Sequence, residues 1–235
     1  MQSHKKHTAI VVAGGAGSRM GSDVPKQYLE LGGRPVICWC LEAFECSEII
    51  DEIIIVTAAD YVNYVQSDII ETYGFEKVSQ VVPGGVQRYD SVYEGLKSAA
   101  GADYVYIHDA ARPGLDQELI ARLAEAVRLY SAAAAAVPVI DTIKSADAEG
   151  FADETLDRSR LWSIQTPQVF SYDLICSAYD AMMRLPHDDI TDDTMVAERF
   201  GGARVRLVPG SGRNQKITTA EDLIMMEAFL QHPAR

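Results

Sequence analysis

The sequence predicts an α/β fold of Rossmann-like form: a doubly wound, mainly parallel sheet with helices on both faces and a projecting β-hairpin arm. Three observations predict it. Apolar, β-rich runs alternate with segments of helical period along much of the 235 residues. The runs are almost continuously apolar, as strands covered on both faces must be. The first of them leads straight into a glycine-rich loop that begins Ala13-Gly14-Gly15-Ala16-Gly17.

The elements follow in that alternation. Thr8–Val12 is the first expected strand, and Pro35, at a first helical position, opens a helix to Cys46. Strand Glu52–Thr57, helix Asp60–Tyr73, strand Lys77–Val82 and helix Gln87–Ala99 come next. Strand Tyr104–Ile107 and helix Asp116–Tyr130 complete the first part. The alanine run Ala132–Ala136 has helical composition, but Val137-Pro138-Val139-Ile140 follows and the alternation asks for a strand, so Ala133–Val139 is read as one. From about 141 to 163 short polar and β-capable pieces surround the turn signal Gly150, which gives the arm. Leu161–Gln168 reads as polar and turn-rich. Helices Tyr172–Met183 and Asp192–Phe200, strand Arg204–Val208 and helix Ala220–Gln231, preceded by Thr219, finish the chain. No linker divides it, so residues 1–235 are read as a single domain.

Bulk properties exclude several classes. The formal net charge of −13 argues against a general nucleic-acid or acidic-membrane binder, which needs an extended basic surface. The first apolar run, Ala9–Ala13, is too short for a membrane span, and a cytoplasmic location is the expectation. Cys38, Cys40, Cys46 and Cys176 show no zinc or Cys-x-x-Cys spacing and are read as reduced core residues.

A small polyanion is still compatible with an acidic protein that gathers cations locally. The loop Ala13–Gly21 lets backbone N–H groups approach phosphates. It is not a dinucleotide fingerprint, because Met20 stands where the third glycine belongs, and it lacks the Gly-Lys-Ser/Thr ending of a Walker A loop. Instead Arg19 follows, then Pro25-Lys26-Gln27-Tyr28-Leu29, and two fixed positive charges beside a phosphate-cradling loop answer the demands of a triphosphate. Asp109 stands at the carboxyl end of a central strand, where open α/β sheets bind ligands, and a carboxylate there suits Mg²⁺ or another divalent cation. His108 before it is read as packed, and Arg112 after it as a possible ion-pair partner of Asp109. Gly84-Gly85-Val86-Gln87-Arg88 opens a helix whose N–H groups, with the Ser91 hydroxyl, can contact a base or ribose. Lys216 supplies one more cation after the last strand.

Taken together and in order, these motifs resemble the 2-C-methyl-D-erythritol 4-phosphate cytidylyltransferases. The resemblance spans nearly the whole chain: Ala13–Met20, Pro25–Leu29, Gly84–Val92, His108–Pro113, Asp141–Lys144, Arg158–Gln168, Thr191–Asp193 and Lys216–Thr218. It implies a single nucleotidyltransferase domain in which CTP and a sugar-alcohol phosphate react by in-line attack without a covalent enzyme intermediate. By resemblance Arg19, Lys26 and Lys216 stabilise charge, and Asp109 holds the metal. Ala13, Gly14, Gly15, Gly17, Gly85, Arg88, Ser91 and Ala110 would hold CTP; Arg112, Thr142, Arg160 and Thr191 would hold the sugar phosphate. It further implies a homodimer in which the arm exchanges and Thr142 and Arg160 serve the neighbour's site. Two departures stand out: Val86-Gln87 replaces the usual Asp-Glu, and Gln215 precedes the lysine where an apolar residue is usual. A ribitol 5-phosphate cytidylyltransferase is the nearest rival. An NAD-binding Rossmann oxidoreductase is a rival from another class, as is a catalytically silent binding protein.

Overall fold

The structure, a computed structural model, describes residues 4–15, 24–187 and 189–231. Its elements are β1 (His7–Ala13), β2 (Glu30–Leu31), β3 (Arg34–Pro35), α1 (Val36–Glu45), β4 (Glu52–Thr57), α2 (Val62–Tyr64) and β5 (Val78–Pro83). Then come α3 (Arg88–Ser98), β6 (Tyr104–Asp109), α4 (Gln117–Tyr130), β7 (Ala132–Pro138), β8 (Lys144–Ala146), β9 (Ala152–Thr155) and β10 (Trp162–Ser171). The last are α5 (Tyr172–Met182), α6 (Asp193–Gly201), β11 (Arg206–Pro209) and α7 (Ala220–Gln231).

The core follows from the two-residue period of the strands. In β1, Ala9 and Val11 pack with Ile37, Leu41, Leu119 and Leu123 of α1 and α4, while Ile10 packs with Val92, Leu96 and Val105 on the other face. Helices α5 and α6 join that second face through Ile175, Tyr179 and Val196. A smaller cluster of Leu31, Val36, Ile217 and Met226 fastens α7 to the β2–β3 hairpin.

Seven strands form one sheet in the order β11-β7-β10-β6-β1-β4-β5. Strand β10 runs antiparallel to β6 and β7, and every other pairing is parallel. The chain leaves β1 for β4 and β5 on one side, then returns through α3 to β6 on the other. The crevice at the carboxyl ends of β1 and β6 is therefore a topological switch point, the place where such sheets bind ligands.

Several expectations need correction. Leu161–Gln168 is not a turn region but most of a ten-residue strand in which Gln165, Thr166 and Gln168 are buried. The expected helix Asp60–Tyr73 is a 3₁₀ turn at Ala59–Tyr61, the short α2 and a π-helical stretch at Val65–Glu71. Tyr61 and Tyr64 pack there against Tyr28, at ring distances of 4.9 and 5.2 Å. Pro35 is the N-cap of α1, not its first residue. Cys38 and Cys40 are buried, but Cys46, at the C-cap of that helix, is exposed. The alanine run is a strand, with Ala132 to Ala136 fully buried between helical layers; its sheet pairing overrides helix propensity. The arm is present as the β8–β9 hairpin.

Candidate active site

Three chain segments converge at the switch point. The first follows β1. Gln27 donates to the carbonyl of Ala13 and, at 3.2 Å, to that of Gly15, so a residue of the Pro-Lys-Gln-Tyr-Leu segment fastens the glycine loop. Tyr28, buried among aromatics and hydrogen-bonded to Thr57, anchors the 3₁₀ turn that carries Lys26. Gly17 and Arg19 lie outside the described residues.

The second segment runs from β5 into α3. Ser91 Oγ receives the Gly85 N–H at 3.2 Å and donates to the Gln87 carbonyl at 3.3 Å. A Cβ on Gly84 would stand 2.5 Å from Ser91 Oγ, and one on Gly85 would stand 2.2 Å from Asp90 Cβ, so the close turn requires glycine at both positions. The serine expected to touch a ligand thus also braces the loop. Val86 is 93% exposed on the rim.

The third segment brings Lys216. Gly114 lies so close to Arg213 that a Cβ would stand 1.9 Å from its carbonyl oxygen. Arg112 Nη1 donates to Asn214 O at 2.9 Å, and Ile217 N donates to Ala111 O at 2.8 Å. These contacts clamp residues 213–217 onto the turn after β6. Gln215 is exposed, so the departure there leaves the packing intact.

The charged centre is Asp109. Lys216 Nζ lies 2.8 Å from Oδ2, Arg88 Nε lies 3.0 Å from Oδ1, and Arg112 Nε lies 3.8 Å from Oδ2. Arg88 is also gripped from the other side: Nη1 and Nη2 reach Asp193 Oδ1 and Oδ2 at 3.0 and 2.8 Å, and Tyr179 donates its hydroxyl to Oδ1 at 2.6 Å. Burial by itself would raise the pKa of Asp109, but Arg88, Lys216 and Arg112 outweigh it and hold the carboxyl well below the usual range. Burial lowers the pKa of Arg88, but Asp193 and Asp109 more than reverse this, and the guanidinium stays charged. Burial pushes the His108 imidazole down to about 4.

Two cavities meet at this centre. The larger, of about 360 Å³, is lined by Gly14, Gly15, Lys26, Gly85, Val86 and Ser91, among others. The smaller, of about 150 Å³, is lined by Arg112, Ile164, Gln165, Thr166, Gln168, Thr191 and Asp192. Arg88, Asp109 and Lys216 line both. Arg112 borders the smaller cavity, and its buried Nε, 3.8 Å from Asp109 Oδ2, has no hydrogen-bond partner among the described residues.

Among the described residues, ten of those expected from the sequence come together here and four do not. Ala13 and Ala110 are buried and line neither cavity, and Ala111 lines the larger one instead. Thr142 and Arg160, at the arm, are exposed and line neither cavity. Sequence reasoning missed Gln27, Thr166, Gln168 and Asp193. Gln27 and the Gln-Thr-Pro-Gln segment lay inside recognised motifs, whereas nothing in the sequence ties Asp193 to an arginine 105 residues away. Among the described residues no group of three or more His, Cys, Asp or Glu could hold a metal, and no helix is long and apolar enough to cross a membrane.

Glycine loops at a sheet's switch point, joined to paired cations and one ionised carboxylate, define a nucleotidyltransferase-type enzyme. Comparison with known proteins makes this specific. The family model described as IspD, 2-C-methyl-D-erythritol 4-phosphate cytidylyltransferase, matches residues 7–232. The relative of that name from Lachnospira eligens is 49% identical over 226 residues, 96% of this chain and 99% of its own. The one from Alkaliphilus oremlandii is 43% identical over 233 residues, 98% of each chain. The crystal structure of the Anaerococcus prevotii 4-diphosphocytidyl-2C-methyl-D-erythritol synthase superposes with a TM-score of 0.86 at 33% identity, covering 97% of each chain. The chain belongs to the 2-C-methyl-D-erythritol 4-phosphate cytidylyltransferase family and is a cytidylyltransferase.

Proposed function

We propose that the chain transfers a cytidylyl group from CTP to 2-C-methyl-D-erythritol 4-phosphate, giving CDP-methylerythritol and pyrophosphate in non-mevalonate isoprenoid synthesis. The observation that carries this reading is the shared wall: Arg88, Asp109 and Lys216 border both cavities, so a nucleotide in one and a phosphate in the other meet at a charged seam. CTP fits the larger cavity, its phosphates on the backbone of Gly14, Gly15 and Gly85, with Gly17 completing the loop. The acceptor phosphate fits the smaller, against Arg112 and beside Thr191.

A phosphate oxygen of the acceptor attacks the α-phosphorus of CTP, the bond to the bridging oxygen of the β-phosphate breaks, and pyrophosphate leaves with that electron pair. Lys26 and Lys216 offset the charge that builds on the transferring and leaving groups, and Arg19 is assigned the same task. Asp109 suits a divalent cation. It is ionised, it faces both cavities, and each oxygen keeps lone pairs beyond the one cation that hydrogen-bonds to it. A single carboxylate is enough for Mg²⁺, whose other ligands are waters and phosphate oxygens. When bound, the ion would neutralise phosphate charge and favour in-line geometry.

The proposal treats residues 1–235 as one domain with the arm at about 141–163. It extends to a homodimer whose exchanged arms carry Thr142 and Arg160 to the neighbour's acceptor cavity; both are exposed and line neither cavity of their own chain, which supports this. It also places the protein in the cytoplasm, a setting compatible with four free cysteines. The test is pyrophosphate release from CTP and Mg²⁺ with methylerythritol phosphate and ribitol phosphate supplied in parallel. Release with the former alone is expected; preference for ribitol phosphate would overturn the acceptor assignment, and silence with both would overturn the reading.

A further inference from the structure

His108 is completely buried at the edge of the site, and no step assigned above uses it. Its ring sits between two fixed partners, with Nε2 3.2 Å from the carbonyl oxygen of Arg112 and Nδ1 3.1 Å from Thr166 Oγ1. Thr166 Oγ1 in turn lies 3.0 Å from the backbone nitrogen of Asp109. The Phe44 ring closes off one side, edge-on at 5.5 Å.

The directions of these bonds follow from which atoms carry hydrogens. The Asp109 N–H can only donate, so Thr166 Oγ1 accepts it and is left with its single proton to give away. The nearest acceptor for that proton is Nδ1. At the other end the Arg112 carbonyl can only accept, so Nε2 must carry a hydrogen. The opposite tautomer would set a bare Nε2 against a carbonyl oxygen, leaving two buried acceptors facing each other. An imidazolium would satisfy both contacts only by placing a charge in the core.

We propose that His108 is a positioning residue: as the neutral Nε2–H tautomer it ties the first and last residues of the turn Asp109-Ala110-Ala111-Arg112 to Thr166 of β10. The inference rests on the proposed cytidylyl transfer, since the turn carries the carboxylate at the seam and the guanidinium of the acceptor cavity. Asp109 is fixed through its amide and Arg112 through its carbonyl. The side chains of both are thereby aimed without the imidazole touching a substrate. A displacement of about 1 Å at such a turn can cost up to about 100-fold in rate.

Two measurements test it. The first is nitrogen NMR of histidine-labelled protein at neutral pH without substrate; a His108 signal with Nε2 protonated and Nδ1 an acceptor is expected, and an Nδ1–H tautomer would overturn the proposal. Because no turnover is involved, that failure is separable from failure of the cytidylyl-transfer reading. The second is kinetics of His108→Gln and Thr166→Val, the latter keeping shape while losing the hydroxyl. Each is expected to lower kcat about tenfold and raise KM for the acceptor phosphate about fivefold, with KM for CTP within about twofold. If His108→Gln does not fold, Thr166→Val carries the kinetic test alone. Wild-type kcat and acceptor KM in Thr166→Val, or a rise confined to KM for CTP, would overturn it.

Discussion

Around Asp109, charged groups from β6, α3, α6 and the segment after β11 are locked together, partly or wholly buried, whereas Thr142 and Arg160 flank the arm strands and are exposed. Both sets carry residue types that bind phosphates, but they depend on different things. The seam is organised by its own ion pairs before any ligand arrives, so its members bear on folding as well as on chemistry. The arm residues line neither cavity of their own chain, and the role proposed for them depends on a second subunit.

The comparison breaks if the seam proves indifferent to its buried charges. Asp193→Asn takes the bidentate carboxylate from Arg88, leaves it paired with Asp109 alone, and is expected to cost about 3 kcal/mol for the two charge-assisted hydrogen bonds lost. In a protein of this size that lowers Tm by roughly 10 °C, readable by thermal melting, and an unchanged melt would show the grip on Arg88 to be dispensable. Asp109→Asn is expected next. Turnover should fall by about 100-fold, some 2.7 kcal/mol in the barrier, and a rate within threefold of wild type would remove Asp109 from the chemistry.

Arg160→Ala sharpens the contrast from the other side. Its melting temperature should match wild type, while acceptor KM rises about tenfold with KM for CTP unchanged. A large loss of stability would mean that the arm is integral to its own subunit.

The smallest expected effect is on pH. Asp109 titrates near 4 in an unfolded chain and lower when folded, so its stabilisation is complete above that value and is lost as pH falls further. For His108 the folded value is about 4 against about 6.5 unfolded. The unfolded chain therefore binds more protons in that interval, and stability declines as pH drops through it. Between pH 7.5 and 5.5 His108 should account for about 1 kcal/mol, so urea titrations of His108→Gln should show a correspondingly flatter pH dependence.

Much of this was legible in the sequence, for reasons that differ by element. Strands β1, β4 and β6 are apolar on both faces, and their period and spacing announce a parallel sheet. The motifs at Lys26, Asp109, Arg112 and Lys216 each follow a strand or glycine loop, so topology alone brings them to one crevice. Strand β10 was hidden because Gln165, Thr166 and Gln168 look like turn residues, yet each is buried with hydrogen bonds to Ser211 O, to Asp109 N and to Asp192, respectively. A buried strand can be polar where every group has a partner, and those partners come from segments far away in sequence. Asp193 was hidden for the same reason. Its Thr-Asp-Asp motif was visible, but its grip on Arg88 exists only once α6 packs beside α3. Ala13 and Ala110 show the converse: a residue inside a motif can stand behind the wall that its neighbours form.

The seam at Asp109 is built within one chain, whereas in the proposed dimer each acceptor cavity is finished by the other subunit's arm. Mixing Lys26→Ala with Arg160→Ala subunits, assayed with the acceptor phosphate well below its KM, tests it most directly. If each site takes Lys26 from one chain and Arg160 from the other, random exchange in equal amounts frees one site per mixed dimer from both lesions and restores about one quarter of wild-type activity. Activity that stays at the mean of the two parents after exchange has been verified would contradict the shared site.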